Sequence, residues 1–156
     1  MYKIIFVCTG NTCRSPMAEA LAKKMLADVG LNITVISAGV AAGGGQPASK
    51  NAVLAMKTEG LMLSEHRARL TSRELLQDAT LILTMTRGHL SHVLAMCPTA
   101  KAYTLGEYAG GGIDVSDPFG GNEAQYCECA AQIKALLQSC MDKLREEFNG
   151  EHGQVN

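Results

Sequence analysis

The chain has 156 residues, the length of one ordinary domain, and 47% hydrophobic with 19% charged residues excludes disordered, collagen-like and coiled-coil classes. Fourteen basic against fifteen acidic residues leave a net charge of -1, too little of either sign to draw nucleic acid or an anionic membrane by bulk field, so neither is expected as a partner. The apolar runs fall far short of the roughly 20 residues of a membrane span, and Met1-Tyr2-Lys3 leads straight into a strand-like run, so the cytoplasm is the expected compartment.

Lys3-Ile4-Ile5-Phe6-Val7 is short, apolar and rich in β-branched residues, the pattern of a strand buried on both faces of a parallel sheet. Cys8 to Ser15 follows as a polar loop. Ser15 and Pro16 read as N-cap and first residue of a helix, in which Ala18, Leu21, Ala22, Met25 and Val29 recur at helical spacing until Gly30. Ile33 to Ile36 predicts a second strand ending at Ser37-Ala38-Gly39, and Gly39 to Pro47 a glycine-rich loop. Residues 48–59 predict a helix closed by Gly60, Thr71 or Ser72 can cap a short helix, and residues 79–84 form a third strand. A helix over 86–96 is closed by Pro98, and Ala102 to Leu105 is the fourth strand. Gly106 to Gly121 is too broken for regular structure and long enough to be a functional loop. Ile133, Leu136, Leu137, Cys140, Met141 and Leu144 share one face of a last helix, and residues 149–156 read as a flexible tail behind a domain over 1–148.

Strands alternating with helices imply a single doubly wound α/β domain, a four-stranded parallel sheet with helices on both faces. Ligands of such sheets sit outside the carboxyl ends of the strands, where Cys8 to Ser15, Ser37 to Gly45, Thr84 to Arg87 and Leu105 to Phe119 converge. The six cysteines contain no CxxC and no zinc-finger spacing; Cys127-x-Cys129 is a weak metal signal, and no metal is expected.

The first loop carries the chemistry. A strand ends, the backbone turns through Gly10 and Asn11 and a helix begins, so the N–H dipoles of Thr9 to Ser15 and a helix N-terminus face one point that favours an anion. Arg14 adds a planar fork of donors suited to two phosphoryl oxygens, and Ser15 a hydroxyl. Cys8 lies at the base of this nest, where a positive field favours thiolate, and the Cys-x5-Arg spacing sets sulfur below phosphorus. It is not a Walker loop, because no Gly-Lys-Ser/Thr follows Gly10. The leaving group needs a proton from another loop at the same edge: Asp117, pinned by Pro118, is preferred to Asp114, which lacks such pinning.

The stretch VCTGNTCRSPMAE from Val7 to Glu19, with Ser37-Ala38-Gly39, the segment LSEHRAR from Leu63 to Arg69 and Asp117-Pro118-Phe119, resembles the low-molecular-weight protein tyrosine phosphatase family from residue 3 to about 148. The resemblance implies a phosphocysteine formed on Cys8, Arg14 holding the phosphoryl group, and Asp117 serving as acid and then base. Its implied substrates are phosphorylated proteins, with inorganic phosphate as product and inhibitor and no cofactor. It also implies a supporting network of Asn11, Ser15, Ser37 and His66, and a redox role for Cys13, whose other reading is plain packing. The remaining cysteines read as core.

Within this family, tyrosine-directed members usually carry Ile or Leu where Thr12 stands, whereas the bacterial protein arginine phosphatase branch resembles this chain in reading CTGNTCRS and DPF followed by Gly. Phosphoarginine presents guanidinium N–H donors that Thr12 and Asp117 can accept, and with Phe119 as the one aromatic near the mouth, phosphoarginine is the expected substrate. The alternative keeps tyrosine specificity, with Thr12 as a turn residue bonding its own backbone. An arsenate reductase of similar fold would need two further cysteines around residues 80 to 90, which are missing, and a non-catalytic phosphate-binding module fits poorly with Cys8, Arg14 and Asp117 together.

Overall fold

Alternation along β1 (Lys3–Cys8) decides the layering: Ile4, Phe6 and Cys8 enter one hydrophobic cluster, Ile5 and Val7 the other, and all five are buried. A strand apolar on both faces has to be covered on both, and burying each large side chain contributes about 1.5–3 kcal/mol. In the computed structural model, which describes residues 1–152, β1 is an inner strand of a parallel sheet ordered β2-β1-β3-β4, with β2 Thr34–Gly39, β3 Leu81–Thr84 and β4 Ala102–Thr104. The register sets Cys8 beside Gly39 and Val7 beside Thr84, so three strands reach the same carboxyl edge.

Helices α1 (Arg14–Asp28), α2 (Lys50–Thr58) and α6 (Glu123–His152) cover the first face, sharing a core that includes Met17, Met56 and Ile133. On the second face lie α3 (Arg73–Gln77) and α4 (Arg87–Met96), which contribute Leu76 and Val93. The expected doubly wound α/β class is the observed one. Because the chain runs from β2 past β1 to β3, the strand order reverses at β1, and the crevice beside its carboxyl end is the place such folds use for ligands.

Several boundaries differ from expectation for identifiable reasons. Helix α1 starts at Arg14, with Cys13 at the N-cap and no side-chain cap bond, so Ser15 is not the cap; its hydroxyl is drawn inward to Cys8 instead. Strand β4 ends at Thr104, whose hydroxyl caps a one-turn helix α5 (Leu105–Tyr108) at Glu107 N, so Leu105 is helical. Of the two candidate caps, Ser72 caps α3 by accepting from Leu75 N. Helix α6 continues to His152, through the first four residues expected to be tail, while residues 153–156 lie outside the described residues. No helix among the described residues is long and apolar enough to cross a membrane.

Candidate active site

The turn after β1 is made by Asn11, whose φ of 55° is a left-handed conformation that costs most side chains about 1–2 kcal/mol. Asparagine tolerates it when its amide is fixed, and here the fully buried side chain is bonded on every side. Its Nδ2 donates to Ser15 Oγ at 2.8 Å and to Ser37 Oγ at 2.9 Å, while its Oδ1 accepts from Arg69 N at 2.9 Å. The Asn11 carbonyl accepts from His66 Nε2 at 2.7 Å. Residues 66–71 are brought there by an added bridge: Gly39 N donates to Arg69 O, and Thr71 N donates to Gly39 O. Gly39 has to be glycine, because a Cβ there would lie 2.8 Å from Asn11 N and closer still to Thr9 O.

Proton accounting gives this network a direction. Ser37 donates to Glu19 Oε1 at 2.7 Å, so its oxygen is free to accept from Asn11. Ser15 likewise accepts from Asn11, which leaves its single proton for Cys8 Sγ at 2.8 Å or, less closely, for Ala38 O at 3.4 Å. The Asn11 amide, donating to both serines, thus leaves the Ser15 hydroxyl free to meet the sulfur. Glu19 follows Ser15 by one helical turn on α1, a spacing through which sequence reasoning could have found it.

Around the sulfur the loop supplies donors. Among the described residues no protein acceptor is found for the backbone N–H groups of Gly10, Asn11, Thr12 and Cys13, which line the loop between Cys8 and the start of α1. Arg14 is 4% exposed; Nη1 donates to Val115 O at 3.0 Å, Nη2 lies 3.5 Å from Thr9 Oγ1 and 3.6 Å from Asp117 Oδ2, and buried Nε has no partner. Cys8, Thr9, Gly10, Thr12, Cys13, Arg14, Gln46, Asp117 and Phe119 enclose a cleft of about 310 Å³. Such a cleft, with thiol below and cationic fork and amides around it, can hold a tetrahedral oxyanion.

The two carboxylates expected to compete are separated by position. Asp117 lines the cleft and its Oδ1 accepts from Phe119 N at 3.0 Å, which fixes the turn through Pro118. Asp114 instead accepts from Arg87 N at 3.2 Å at the start of α4, away from that lining. Phe119 is 79% exposed at the mouth. Thr12 lines the cleft, and its hydroxyl meets Cys13 Sγ at 3.6 Å rather than a backbone group of its own turn. Cys13 is buried beside Tyr126 Oη at 3.2 Å, a neighbour that no local sequence signal indicates.

His89 carries no recognisable pattern in the sequence, yet its Nε2 lies 2.8 Å from Thr9 Oγ1 across 80 residues of chain. Gln46 reaches the cleft from the glycine-rich loop over Gly39 to Pro47. The other cysteines sit apart from this chemistry: burial pushes the Cys129 and Cys140 thiols up to about 12, as expected of core residues.

The chain matches the family described as low molecular weight phosphotyrosine protein phosphatase over residues 3–150. It is 41% identical to the protein-arginine-phosphatase of Bacillus subtilis (strain 168), covering 92% of this chain and 97% of the relative. To a low molecular weight protein-tyrosine-phosphatase of Streptomyces coelicolor it is 34% identical, covering 96% and 97%. Among solved structures it is similar to a Cys-to-Ser mutant of YwlE arginine phosphatase with a phosphorylated active-site serine, with a TM-score of 0.88, 40% identity, and coverage of 92% of this chain and 95% of that one. This chain therefore belongs to the low molecular weight phosphotyrosine protein phosphatase family.

Proposed function

We propose that this phosphatase removes phosphate from phosphoarginine in proteins of the cytoplasm, with Cys8 as nucleophile, Arg14 as phosphoryl holder and Asp117 as acid and base. The Cys8 thiolate attacks phosphorus as the P–N bond breaks, and Asp117 gives its proton to the departing guanidine nitrogen. Water then attacks the phosphocysteine, Asp117 takes the water's proton, and the P–S bond breaks to return the thiolate and release phosphate. Phosphate, being the product and a tetrahedral oxyanion itself, competes with substrate for the same donors. Arg14 and the loop amides stabilise the equatorial oxygens as charge builds on them.

The observation that carries the substrate choice is Thr12 lining the cleft together with Asp117. A guanidinium entering above Cys8 brings N–H donors that these two groups accept, and an apolar side chain at residue 12 would leave them unpaired. The similarity to protein-arginine-phosphatases supports the same reading. Phosphotyrosine is the second reading, favoured by the exposed Phe119 ring at the mouth, which can stack on a phenyl group.

The test is kcat/KM on a phosphoarginine protein and a phosphotyrosine peptide, for the wild type and Thr12→Ile. The reading expects the wild type to prefer phosphoarginine, and the variant to lose about tenfold or more of that preference. A wild-type preference for phosphotyrosine overturns it.

A further inference from the structure

We propose that His89 is a positioning residue for the phosphoryl-holding guanidinium, acting through Thr9. This rests on the reading of Arg14 as the group that holds the phosphoryl oxygens. Arg14 can only donate, and its Nη2 meets Thr9 Oγ1 at 3.5 Å, so the Thr9 hydroxyl has to send its own proton elsewhere. The acceptor found for that proton is His89 Nε2 at 2.8 Å. Donation therefore runs from Arg14 through Thr9 to His89, and it requires a neutral imidazole protonated on Nδ1.

The surroundings keep the ring neutral. His89 is 6% exposed, Nδ1 is buried without a partner, and burial followed by the Arg14 charge lowers its pKa to about 4. His92 acts in the same direction, while Asp117 and Asp114 oppose it without prevailing. The backbone that carries the ring is also fixed: Thr86 caps α4 and accepts from His89 N at 3.2 Å, and Thr84 Oγ1 donates to Thr86 O at 2.9 Å. A rigid acceptor is thus delivered from the second face of the sheet to a loop that begins on β1.

What this link controls is the rotation of the guanidinium. Val115 O fixes Nη1, the Thr9 and His89 pair together with Asp117 Oδ2 at 3.6 Å holds Nη2, and Nε is left as a buried donor for a phosphoryl oxygen. With the acceptor at His89 removed, Thr9 has to turn its proton toward Arg14 or leave it unpaired, and Nη2 keeps only the Asp117 carboxylate at 3.6 Å. A misplacement of about 1 Å at a group that binds the transition state costs on the order of a hundredfold in rate.

The test uses p-nitrophenyl phosphate turnover, competitive inhibition by inorganic phosphate, and ring 15N chemical shifts of His89 in the wild type. His89→Leu is expected to lower kcat/KM about tenfold or more and to weaken phosphate inhibition, whereas His89→Gln, whose Oε1 can accept from Thr9, recovers part of both. Thr9→Val lowers turnover similarly, and adding His89→Leu to it costs little more, because both cut one chain of donors. The 15N shifts are expected to show Nδ1 protonated and Nε2 not. A folded His89→Leu variant within about twofold of wild type, a His89→Gln variant no better than His89→Leu, full additivity with Thr9→Val, or a ring protonated on Nε2 overturns the proposal. The tautomer decides it even if Leu at residue 89 prevents folding. Absence of wild-type turnover would count against the phosphatase reading alone, since the tautomer and phosphate binding still report on His89.

Discussion

Replacing Asn11 by alanine removes three buried hydrogen bonds, those to Ser15, Ser37 and Arg69 N, and keeps a φ of 55° that alanine disfavours. Each buried bond contributes about 1 kcal/mol net, and the left-handed backbone adds about 1 kcal/mol for alanine, so the expected loss is about 4 kcal/mol. That is a large part of the roughly 5–15 kcal/mol available to a domain. Asn11→Gly loses the same bonds without the steric penalty and should be about 1 kcal/mol less damaging. Urea denaturation at neutral pH gives both differences, and turnover of an aryl phosphate in the folded fraction reports the effect on Cys8. Both variants should be slower than wild type, because Ser15 is released to point its proton at Ala38 O instead of sulfur. A destabilisation of Asn11→Ala below about 1 kcal/mol, or a glycine variant worse than alanine, would refute the reasoning.

The acid assignment is checked by pairing Asp117→Asn with Asp114→Asn. Since only Asp117 of the two lines the cleft, Asp117→Asn should lower kcat about a hundredfold while Asp114→Asn stays near wild type apart from a weakened start of α4; the reverse pattern would exchange their roles. Acid stability tests the burial of His89. Its pKa is lowered in the fold from the ordinary 6.5 to about 4, so the unfolded chain takes up this proton first and stability is lost as pH falls from 6.5 toward 4. By about pH 4 the loss reaches about 3 kcal/mol, and His89→Gln lacks it. The stability difference between the two proteins should therefore shift by that amount between pH 7 and pH 4, and a constant difference would mean that His89 is not buried neutral.

The parallel sheet and its layering were legible because they depend on local signals that the tertiary structure does not override. A both-faces-apolar run such as Ile4 to Val7 fits the middle of a parallel sheet, and of the two residues offered as a cap before α3, Ser72 serves. Errors arose where a side chain had a better use than its local one. Ser15 has the sequence position of an N-cap, but a buried sulfur and an asparagine amide compete for its hydroxyl and win, so the helix begins at Arg14 without a cap. Thr104 ends a strand early by capping a turn of helix that sequence patterning, dominated by nearby glycines, does not suggest. The last helix outran its estimate because composition near its end is polar, while Leu144 and Phe148 still pack on the core from that same helix.

The site divides along the same line. Cys8, Arg14 and the turn at Asn11 lie within seven residues, and their chemistry follows from spacing. His89 and Glu19 differ from them in being informative only through the protons they accept. Nothing in the order of residues says that the Thr9 hydroxyl needs an acceptor, since that need arises from Arg14 donating to it in three dimensions. Glu19 presents the same case at the opposite side of the loop, where its carboxylate takes the Ser37 proton and leaves the Ser37 oxygen to accept from the Asn11 amide. The two acceptors thus bracket the loop, one supporting the Asn11 turn beside Cys8 and the other the Arg14 guanidinium. Because each works through a hydroxyl, replacing Ser37 with alanine or Thr9 with valine should disturb different things: the former the stability of the Asn11 turn, read by urea denaturation, the latter the hold on phosphate, read by its inhibition constant.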